Sequence, residues 1–447
     1  MRTDILALAA LAAVWTMSGC MAEGADAGAV PATGTGGDTG QGRVGDAAGE
    51  GQSGTGGGLA GGGGIGGESG AAGAGSASTG TGGASVGGSG GQAPQPPPTS
   101  PGFLGTQGSR IVDGDGLPVR LTGINWFGME TSNYAPHGLW SRSLDDLLDV
   151  TDSLGYNVIR LPFCNQLFDP GSTPTGIDFN QNPALVGLSG LEIMDKVIEG
   201  AGARGIRVLL DRHRPDANAQ SELWYTDAYP EQRWIDDWTM LAARYAGNPT
   251  VVGADLHNEP HGAATWGSGD AATDWRVAAQ KAGNAILAVN PDWLIVVEGV
   301  ETVGQSKYWW GGNLKGAEQY PVQLDVAGRL VYSTHDYPAT VFHQTWFDEP
   351  DYPENLPDIW LDRWGYLLQN DTAPVLLGEF GTRYETESDR AWLQKMASYV
   401  ADKDLSFTFW CLNPNSGDTG GILMDDWVTI NQDKQNVLTP LLAPKIP

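Results

Sequence analysis

The residues of this chain best suited to acid–base or nucleophilic chemistry are polar side chains that follow short apolar runs. Six of eight such runs end in polar residues, namely Arg160, Asp211-Arg212-His213, His257-Asn258-Glu259-Pro260, Glu298, His335-Asp336-Tyr337 and Glu379. Trp410 lies near the end of the eighth run. One polar residue at such a position could be a helix cap or a solvated loop end. So many at equivalent positions indicate a single site.

Two glutamates in this set are suited to glycoside hydrolysis. Glu259 and Glu379 follow the fourth and seventh runs, and in a closed barrel these positions face each other across the mouth. One carboxyl must be protonated to donate to the leaving oxygen, while the other must be ionised to attack the anomeric carbon. If Arg160 and Tyr337 reach Glu379, they hold it ionised, and its charge favours a protonated Glu259.

Other interpretations of these polar residues remain open on their chemistry alone. Glu298 and Glu301 are rival carboxylates for the pair. His213 and His335 could be core histidines, although their position beside the carboxylates favours a role in the site. A zinc site needs three ligands with an open position, and the sequence alone marks out no such set of three. We therefore expect no metal and no cofactor.

The elements that would position these residues alternate between apolar runs and amphipathic helical stretches. The runs are Leu121 to Phe127, Asn157 to Phe163, Ile206 to Leu210, Val251 to Leu256, Leu294 to Val297, Leu330 to Ser333, Pro374 to Leu377 and Phe407 to Leu412. Strands buried on both faces have such continuous apolar sequences, and long helical connections require parallel pairing. The pattern predicts an α/β fold, a (β/α)8 TIM barrel. A doubly wound open sheet is the alternative, but no glycine-rich phosphate turn follows the first run.

Short motifs surround the candidate residues. They are Gly123-Ile124-Asn125-Trp126-Phe127-Gly128, Arg160-Leu161-Pro162-Phe163, Asp211-Arg212-His213-Arg214-Pro215, Asp255-Leu256-His257-Asn258-Glu259-Pro260, Gly378-Glu379-Phe380-Gly381 and Ser416-Gly417-Asp418-Thr419-Gly420-Gly421. From about Gly105 to the last predicted strand, the chain resembles glycoside hydrolase family 5, and most of all its bacterial endo-β-1,4-glucanases, or cellulases.

The resemblance implies a barrel enzyme that retains the anomeric configuration, with Glu259 as acid/base and Glu379 as nucleophile. It implies that Asn258 bonds the sugar 2-hydroxyl and that Trp410 stacks under the sugar, with a non-proline cis peptide often following that tryptophan. The remaining implied site residues are Arg160 and Tyr337, which would orient Glu379, and His213 and His335, which would line the cleavage subsite.

Tryptophan is unusually frequent, at 17 of 447 residues. Several lie in or near the loops at predicted strand ends, and these are Trp126, Trp140, Trp224, Trp266, Trp309 and Trp310. Flat aromatic rings stack on the apolar faces of sugars, although each one alone is as easily explained by packing. As a set they favour an extended groove and internal cleavage, and we include Trp126 among the substrate-binding residues.

The segment before the predicted barrel differs in composition from the rest. Between residues 21 and 100, glycines alternate with Ser, Thr and Ala, and the segment ends in Pro96-Pro97-Pro98 after Gln95. It has almost no large apolar side chains to bury, so we predict a disordered linker. Residues 101–447 have the composition of one large catalytic domain.

The first twenty residues have the features of a targeting signal. Arg2 precedes an apolar run from Ile5 to Val14 that is too short to span a membrane, and Met17-Ser18-Gly19-Cys20 resembles a lipoprotein cleavage site. Cys20 would then be acylated, and an ordinary secretory signal is the alternative. Either way we expect a secreted or cell-surface protein, anchored to the bacterial outer membrane if Cys20 carries lipid.

Charge and cysteine content restrict the partners. A formal charge of −28 argues against nucleic acid or an anionic lipid surface, and is compatible with a neutral polymer such as β-glucan. Three cysteines are too few for a disulfide framework, and Cys164 and Cys411 lie in apolar runs, as small buried residues do. We expect a monomer whose only contact with a membrane is a lipid on Cys20.

The most specific prediction is a retaining endo-β-1,4-glucanase that acts on soluble or amorphous glucan by a two-carboxylate double displacement. A β-mannanase, a xylanase or a xyloglucanase could use the same barrel and the same carboxylates. A catalytically silent carbohydrate-binding lipoprotein would be expected to lack one of the two glutamates. An adhesion lipoprotein would depend on the glycine-rich segment.

Overall fold

The computed structural model describes residues 99–447, in which eight parallel strands close into a barrel. The strands are β1 Thr122–Asn125, β2 Val158–Cys164, β3 Arg207–Arg214, β4 Val251–Asp255, β5 Leu294–Glu298, β6 Leu330–Asp336, β7 Val375–Phe380 and β8 Ser406–Phe409. Neighbours in sequence pair, and β8 closes on β1 with Phe407 opposite Thr122. The predicted (β/α)8 barrel is confirmed, and the open-sheet alternative is wrong.

Helices connect successive strands on the outside of the barrel. The α-helices of the described residues are α1 Leu144–Ser153, α2 Gly190–Ala203, α3 Glu231–Arg244, α4 Trp275–Val289, α5 Gly316–Gln319, α6 Leu356–Trp360, α7 Tyr366–Gln369, α8 Glu387–Lys403 and α9 Gln432–Leu438. A π-helical turn, Leu361–Gly365, joins α6 to α7. The short 3-10 turns are Asn165–Phe168, Pro183–Leu185, Thr345–Asp348 and Thr439–Leu441.

A small antiparallel sheet closes the amino-terminal end of the barrel. Its strands are Gly105–Gln107, Arg110–Val112 and Pro118–Val119. Leu104 and Ile111 pack there against interior residues of the barrel strands such as Leu209. The Ser100 hydroxyl donates to Asp292 over 2.7 Å, just before β5 begins. The described chain therefore enters at the closed end, and the open mouth lies at the carboxyl ends of the strands.

Several predictions fall on residues 1–98, which lie outside the described part of the chain. They are the signal sequence, Cys20 and most of the linker. Cys164 and Cys411 are buried free thiols, as their apolar surroundings predict. No helix among residues 99–447 combines the length and apolar character needed to cross a bilayer.

Candidate active site

The polar residues at the strand ends converge at the barrel mouth. The hydrogen-bonded strands continue past the apolar runs that predicted them, so His213, His335 and Glu379 are themselves strand residues. Glu259 follows β4 by four residues. A parallel barrel brings all these positions to one rim, where their side chains are almost wholly buried.

Glu379 is held by two donors, one on each carboxylate oxygen. Arg160 Nη1 donates to Oε1 over 2.7 Å, and the Tyr337 hydroxyl donates to Oε2 over 2.7 Å. His335 Nδ1 lies 3.6 Å from Oε2. The two contacts expected from the sequence are present, and together they fix the orientation of the carboxylate.

Glu259 faces a different set of neighbours. His335 Nδ1 lies 3.0 Å from Oε1, and Gln220 Nε2 donates to Oε2 over 2.9 Å. An oxygen of Glu259 and an oxygen of Glu379 lie within 4.8 Å of each other, with His335 beside both. The two carboxylates thus share one space but have separate hydrogen-bond partners.

His335 lies close to both carboxylates. Burial alone would lower its pKa, but the carboxylates of Glu298 and Glu379 and the hydrogen bond to Glu259 raise the pKa well above its usual value. Its Nε2 lies 3.3 Å from Glu298 Oε1. The ring therefore lies between Glu259 and Glu298, in contact with a carboxylate on each side.

Arg160 is the cation beneath the site. Besides Glu379, it donates through Nε to Asp255 over 2.8 Å and through Nη2 to Asn258 Oδ1 over 2.8 Å. Burial alone would lower its pKa, but the surrounding carboxylates, led by Asp211 and Asp255, raise it. The guanidinium fork thereby orients the nucleophile candidate and the neighbouring amide together.

His213 is neutral and has a defined ring orientation. Burial lowers its pKa well below the usual value. Nδ1 donates to Asp211 over 2.7 Å, so Nε2 accepts from Asn258 Nδ2 over 3.4 Å. The ring lies 5.5 Å from the Trp410 ring in a near-parallel arrangement. The sequence analysis assigned no role to Asp211, although its position among the polar residues after the third run indicated that it belongs to the site.

Trp410 adjoins the site, and the expected non-proline cis peptide is present between Trp410 and Cys411. Its indole N–H donates to the Ser416 hydroxyl over 3.3 Å. The Phe127 ring lies 5.5 Å away, tilted by 8°.

The structure corrects the expectation for Trp126. Its side chain is 0% exposed and its indole N–H donates to the His137 carbonyl over 2.9 Å, so the ring has no free face for a sugar. Trp224, Trp266 and Trp309 are also buried. Tryptophan is highly buried on average, and its position in the sequence alone did not distinguish a packed ring from one that binds sugar.

Two other tryptophans of the set keep accessible surface. Trp140 is 40% exposed, and Trp427 meets it edge to face at 5.2 Å between ring centroids. Trp310 is half-buried and stacks on His261 at 3.6 Å between ring centroids. These two rings are the members of that set that keep a surface on which a sugar could stack.

The rival carboxylates have different surroundings. Glu301 is partly exposed and pairs with Lys307 over 2.9 Å. Glu298 is buried, and its Oε2 accepts from the Glu259 backbone N–H over 2.7 Å. Glu298, Asp211 and Asp255 are close enough together to hold a cation, and Arg160 contacts all three within 3.2 Å. The guanidinium already supplies the positive charge that this trio needs.

Comparison with known proteins places this site in a family. The sequence profile of the cellulase family, glycosyl hydrolase family 5, matches residues 112–416. An endoglucanase of Paenibacillus polymyxa is 58% identical over 350 residues, which are 77% of this chain and 88% of the relative. The major extracellular endoglucanase of Xanthomonas campestris pv. campestris is 45% identical over 339 residues, covering 74% and 69% of the two chains.

Solved structures agree with the sequence comparison. The catalytic domain of the Xanthomonas campestris enzyme has a TM-score of 0.73 at 43% identity and covers 76% of this chain and 99% of its own. A variant endocellulase of Pyrococcus horikoshii in complex with cellotetraose has a TM-score of 0.73 at 41% identity and covers 77% and 100%. The chain therefore belongs to glycosyl hydrolase family 5, the cellulase family.

Proposed function

We propose that this protein is a retaining endo-β-1,4-glucanase that hydrolyses internal bonds of cellulose or related β-glucans. The observation that carries the proposal is the pairing of Glu259 and Glu379 at one mouth in unlike surroundings. The relatives support the substrate class, since they are named endoglucanases and one Pyrococcus structure holds cellotetraose.

In the first step, Glu379 attacks the anomeric carbon while Glu259 gives its proton to the leaving oxygen. The bond from the sugar to that oxygen breaks, and a glycosyl ester forms on Glu379. In the second step, Glu259 takes a proton from water, whose oxygen displaces the ester and frees Glu379. Arg160 and Tyr337 favour this division because both donate to Glu379 and neither to Glu259.

The spacing of the carboxylates supports retention. Retaining glycosidases hold their carboxyl groups about 5–5.5 Å apart, while inverting enzymes leave about 6.5–9.5 Å for a water molecule. Oxygens of Glu259 and Glu379 lie within 4.8 Å of each other. This close approach favours the retaining arrangement over the inverting one.

Asn258 is suited to recognise the sugar hydroxyl next to the cleaved bond. Its Oδ1 accepts from Arg160, so the Nδ2 group is the part of the amide that can donate to a sugar hydroxyl. His213 Nε2 is its present neighbour at 3.4 Å, a long contact that a sugar hydroxyl can replace. We propose that His335 and Trp410 also line the subsite that binds this sugar.

The exposed tryptophans support an extended groove. Trp140 and Trp310 offer apolar ring surface on which glucose units stack, and a groove of this kind favours cleavage within a chain. We propose a monomer that needs no cofactor. The extracellular Xanthomonas relative supports secretion, whereas lipid attachment at Cys20 rests on the signal-like sequence alone.

The test is reducing-end release by residues 101–447 on carboxymethyl cellulose, mixed-linkage β-glucan, mannan and xylan. We expect preferred release from the two glucans and its loss in Glu379→Ala. Proton NMR of the first products is expected to show the β-anomer before mutarotation. Preference for mannan or xylan would change the substrate but keep the mechanism, and initial α-anomer would exclude retention.

A further inference from the structure

A third glutamate contacts the backbone of the candidate acid/base. Glu298, the last residue of β5, is 0% exposed. Its Oε2 accepts from the Glu259 backbone N–H over 2.7 Å. Its Oε1 lies 3.1 Å from Arg160 Nη2 and 3.3 Å from His335 Nε2. Every one of these partners also touches, or is part of, the pair of catalytic candidates.

The first link runs through the backbone of Glu259. This residue has a φ of +53°, in the left-handed region that residues with a Cβ seldom occupy. The Glu298 carboxylate holds the N–H of that strained residue. Gly311 makes room for the contact, because a Cβ there would lie 2.2 Å from Glu298 Oε2. The backbone at Glu259 and at Gly311 therefore accommodates the hydrogen bond from Glu259 N–H to Glu298.

The second link runs through the imidazole of His335. Its two nitrogens point to different glutamates, with Nδ1 3.0 Å from Glu259 Oε1 and Nε2 3.3 Å from Glu298 Oε1. Glu298 therefore orients the ring that contacts the carboxyl of Glu259. Burial raises the pKa of Glu298, but the Glu259 N–H and Arg160 Nη2 each donate to one of its oxygens, and the His335 imidazole lies beside Oε1.

We propose that Glu298 is a positioning residue for the acid/base Glu259. Its carboxylate accepts from the backbone N–H of Glu259, and it holds the His335 ring beside the carboxyl of Glu259. This rests on the roles given to Glu259 and Glu379 in the proposed function. Glu298 acts without touching the sugar, since its side chain is 0% exposed and both of its oxygens accept from protein donors.

Glu298→Gln is the sharpest substitution because it keeps the shape and removes one acceptor and the charge. The amide oxygen can accept from Glu259 N–H or from the Arg160 and His335 side, but not from both. Its NH2 group then meets a donor at the other position. We expect the carboxyl of Glu259 to lose its orientation. The hydrogen bond from Arg160 Nη1 to Glu379 should be retained.

The test compares kcat/KM on two substrates, which reports the first step alone. Cellotetraose has a poor leaving group that needs a proton, whereas 2,4-dinitrophenyl β-cellobioside has a leaving group that needs none. We expect Glu298→Gln to lower kcat/KM on cellotetraose by about 100-fold, the low end of general acid–base contributions. On the aryl substrate we expect a change of less than about threefold. The basic limb of the cellotetraose pH profile should also shift.

Glu301→Gln is the matched control, with the same chemical change three residues along the chain. Glu301 pairs with Lys307 and accepts from Gly262 N over 3.1 Å, so this variant should match the wild type on both substrates. Glu298→Asp keeps the charge but is one methylene too short to reach both partners. It should show the same selective loss, and it serves if the glutamine variant does not fold.

Two reference variants separate this proposal from the proposed function. Glu259→Ala should lose activity on cellotetraose selectively, and Glu379→Ala should lose it on both substrates. If these references behave so while the Glu298 variants match the wild type, or lose both substrates equally, the positioning role is wrong. If Glu259→Ala fails to show the selective loss, the assignment of the acid/base itself is wrong.

Discussion

At the scale of single residues, the orientation of Glu379 depends on an arginine that cannot be replaced by another cation. Lysine at position 160 would keep the charge but lose the fork that reaches Asp255, Asn258 and Glu379 together. We expect Arg160→Lys to reduce kcat on β-glucan at least 100-fold and to lower the stability by about 3–5 kcal/mol, as for a broken buried ion pair. Steady-state kinetics and thermal melts measure the two effects.

Arg233→Lys is the control for this substitution. Arg233 on α3 also pairs with two aspartates, Asp169 and Asp237, at 2.8 Å, but it is a third exposed and contacts neither candidate catalytic glutamate. Its kcat should equal that of the wild type. A destabilised Arg160→Lys protein with unchanged kcat would show that Arg160 serves the fold alone.

The second prediction at this scale concerns one hydroxyl. Tyr337→Phe removes the donor to Glu379 Oε2 and keeps the ring. A hydrogen bond to a charged group contributes about 1.5–3 kcal/mol, which corresponds to roughly a 10–100-fold lower kcat. KM should change little, because the hydroxyl is engaged by Glu379. Tyr366→Phe, which loses a bond to the Leu314 carbonyl elsewhere, should leave kcat unaltered, and equal losses in both variants would contradict the argument.

At the scale of elements, helix α9 holds the loop that borders Trp410. Lys434 Nζ, which is buried, donates to the Thr419 carbonyl over 2.7 Å and to the Gly421 carbonyl over 3.2 Å. Ser416 of the same loop accepts from the Trp410 indole. We expect Lys434→Met to leave carbonyls unsatisfied, at a cost of about 1–3 kcal/mol, and to raise KM for glucans several-fold.

Lys445→Met is a suitable comparison for this helix. Lys445 Nζ donates to one carbonyl, that of Tyr156 over 2.8 Å, near the carboxyl terminus of the described chain. It should lose some stability with no change in KM. If both variants leave KM unchanged, the loop does not contribute to the substrate site.

The strands were the most predictable elements. Burial on both faces gives a parallel strand a continuous apolar run, and all eight runs coincide with barrel strands. The polar residues at the predicted strand ends also included Arg160, Tyr337 and Glu379 before any contact was known. Loop residues were not predictable in this way: nothing in the sequence around Gln220 distinguishes it from a solvated glutamine, yet it donates to Glu259. Its position depends on a loop conformation that has no periodic signal.

At the scale of the whole molecule, buried carboxyl groups should make the stability depend on pH. Burial raises the pKa of Glu130, Asp211, Asp255 and Asp336 to about 7 each. The folded-state pKa thus exceeds the unfolded value, so this contribution is complete below about pH 4 and is lost as pH rises through 7. We expect a lower melting temperature at pH 8 than at pH 5.5.

Glu130→Gln tests that linkage in a single group. Glu130 accepts from the Gly128 N–H over 2.7 Å, and the amide oxygen of glutamine can do the same. Removing one raised pKa should flatten the decline between pH 5.5 and pH 8 by up to about 2 kcal/mol. A melting curve with unchanged pH dependence would show that Glu130 does not titrate in this range.

A further prediction follows from the completeness of the site within residues 99–447. All the described contacts to Glu259 and Glu379 come from this region. We expect a protein of residues 99–447 to keep kcat and KM on soluble β-glucan within about twofold of the full chain, since it contains every residue described as a partner of the two glutamates. A larger loss would show that residues 1–98 contribute to catalysis or to substrate binding.

The closed end of the barrel has a practical meaning for an enzyme used on a solid support. Ser100 and the small sheet lie at the end of the barrel opposite the mouth. Coupling the protein to a bead through a tag placed before Thr99 would therefore turn the catalytic face outward, toward the liquid. Coupling through the surface around Trp140 would press that face against the bead, and the immobilised enzyme would lose its access to long chains.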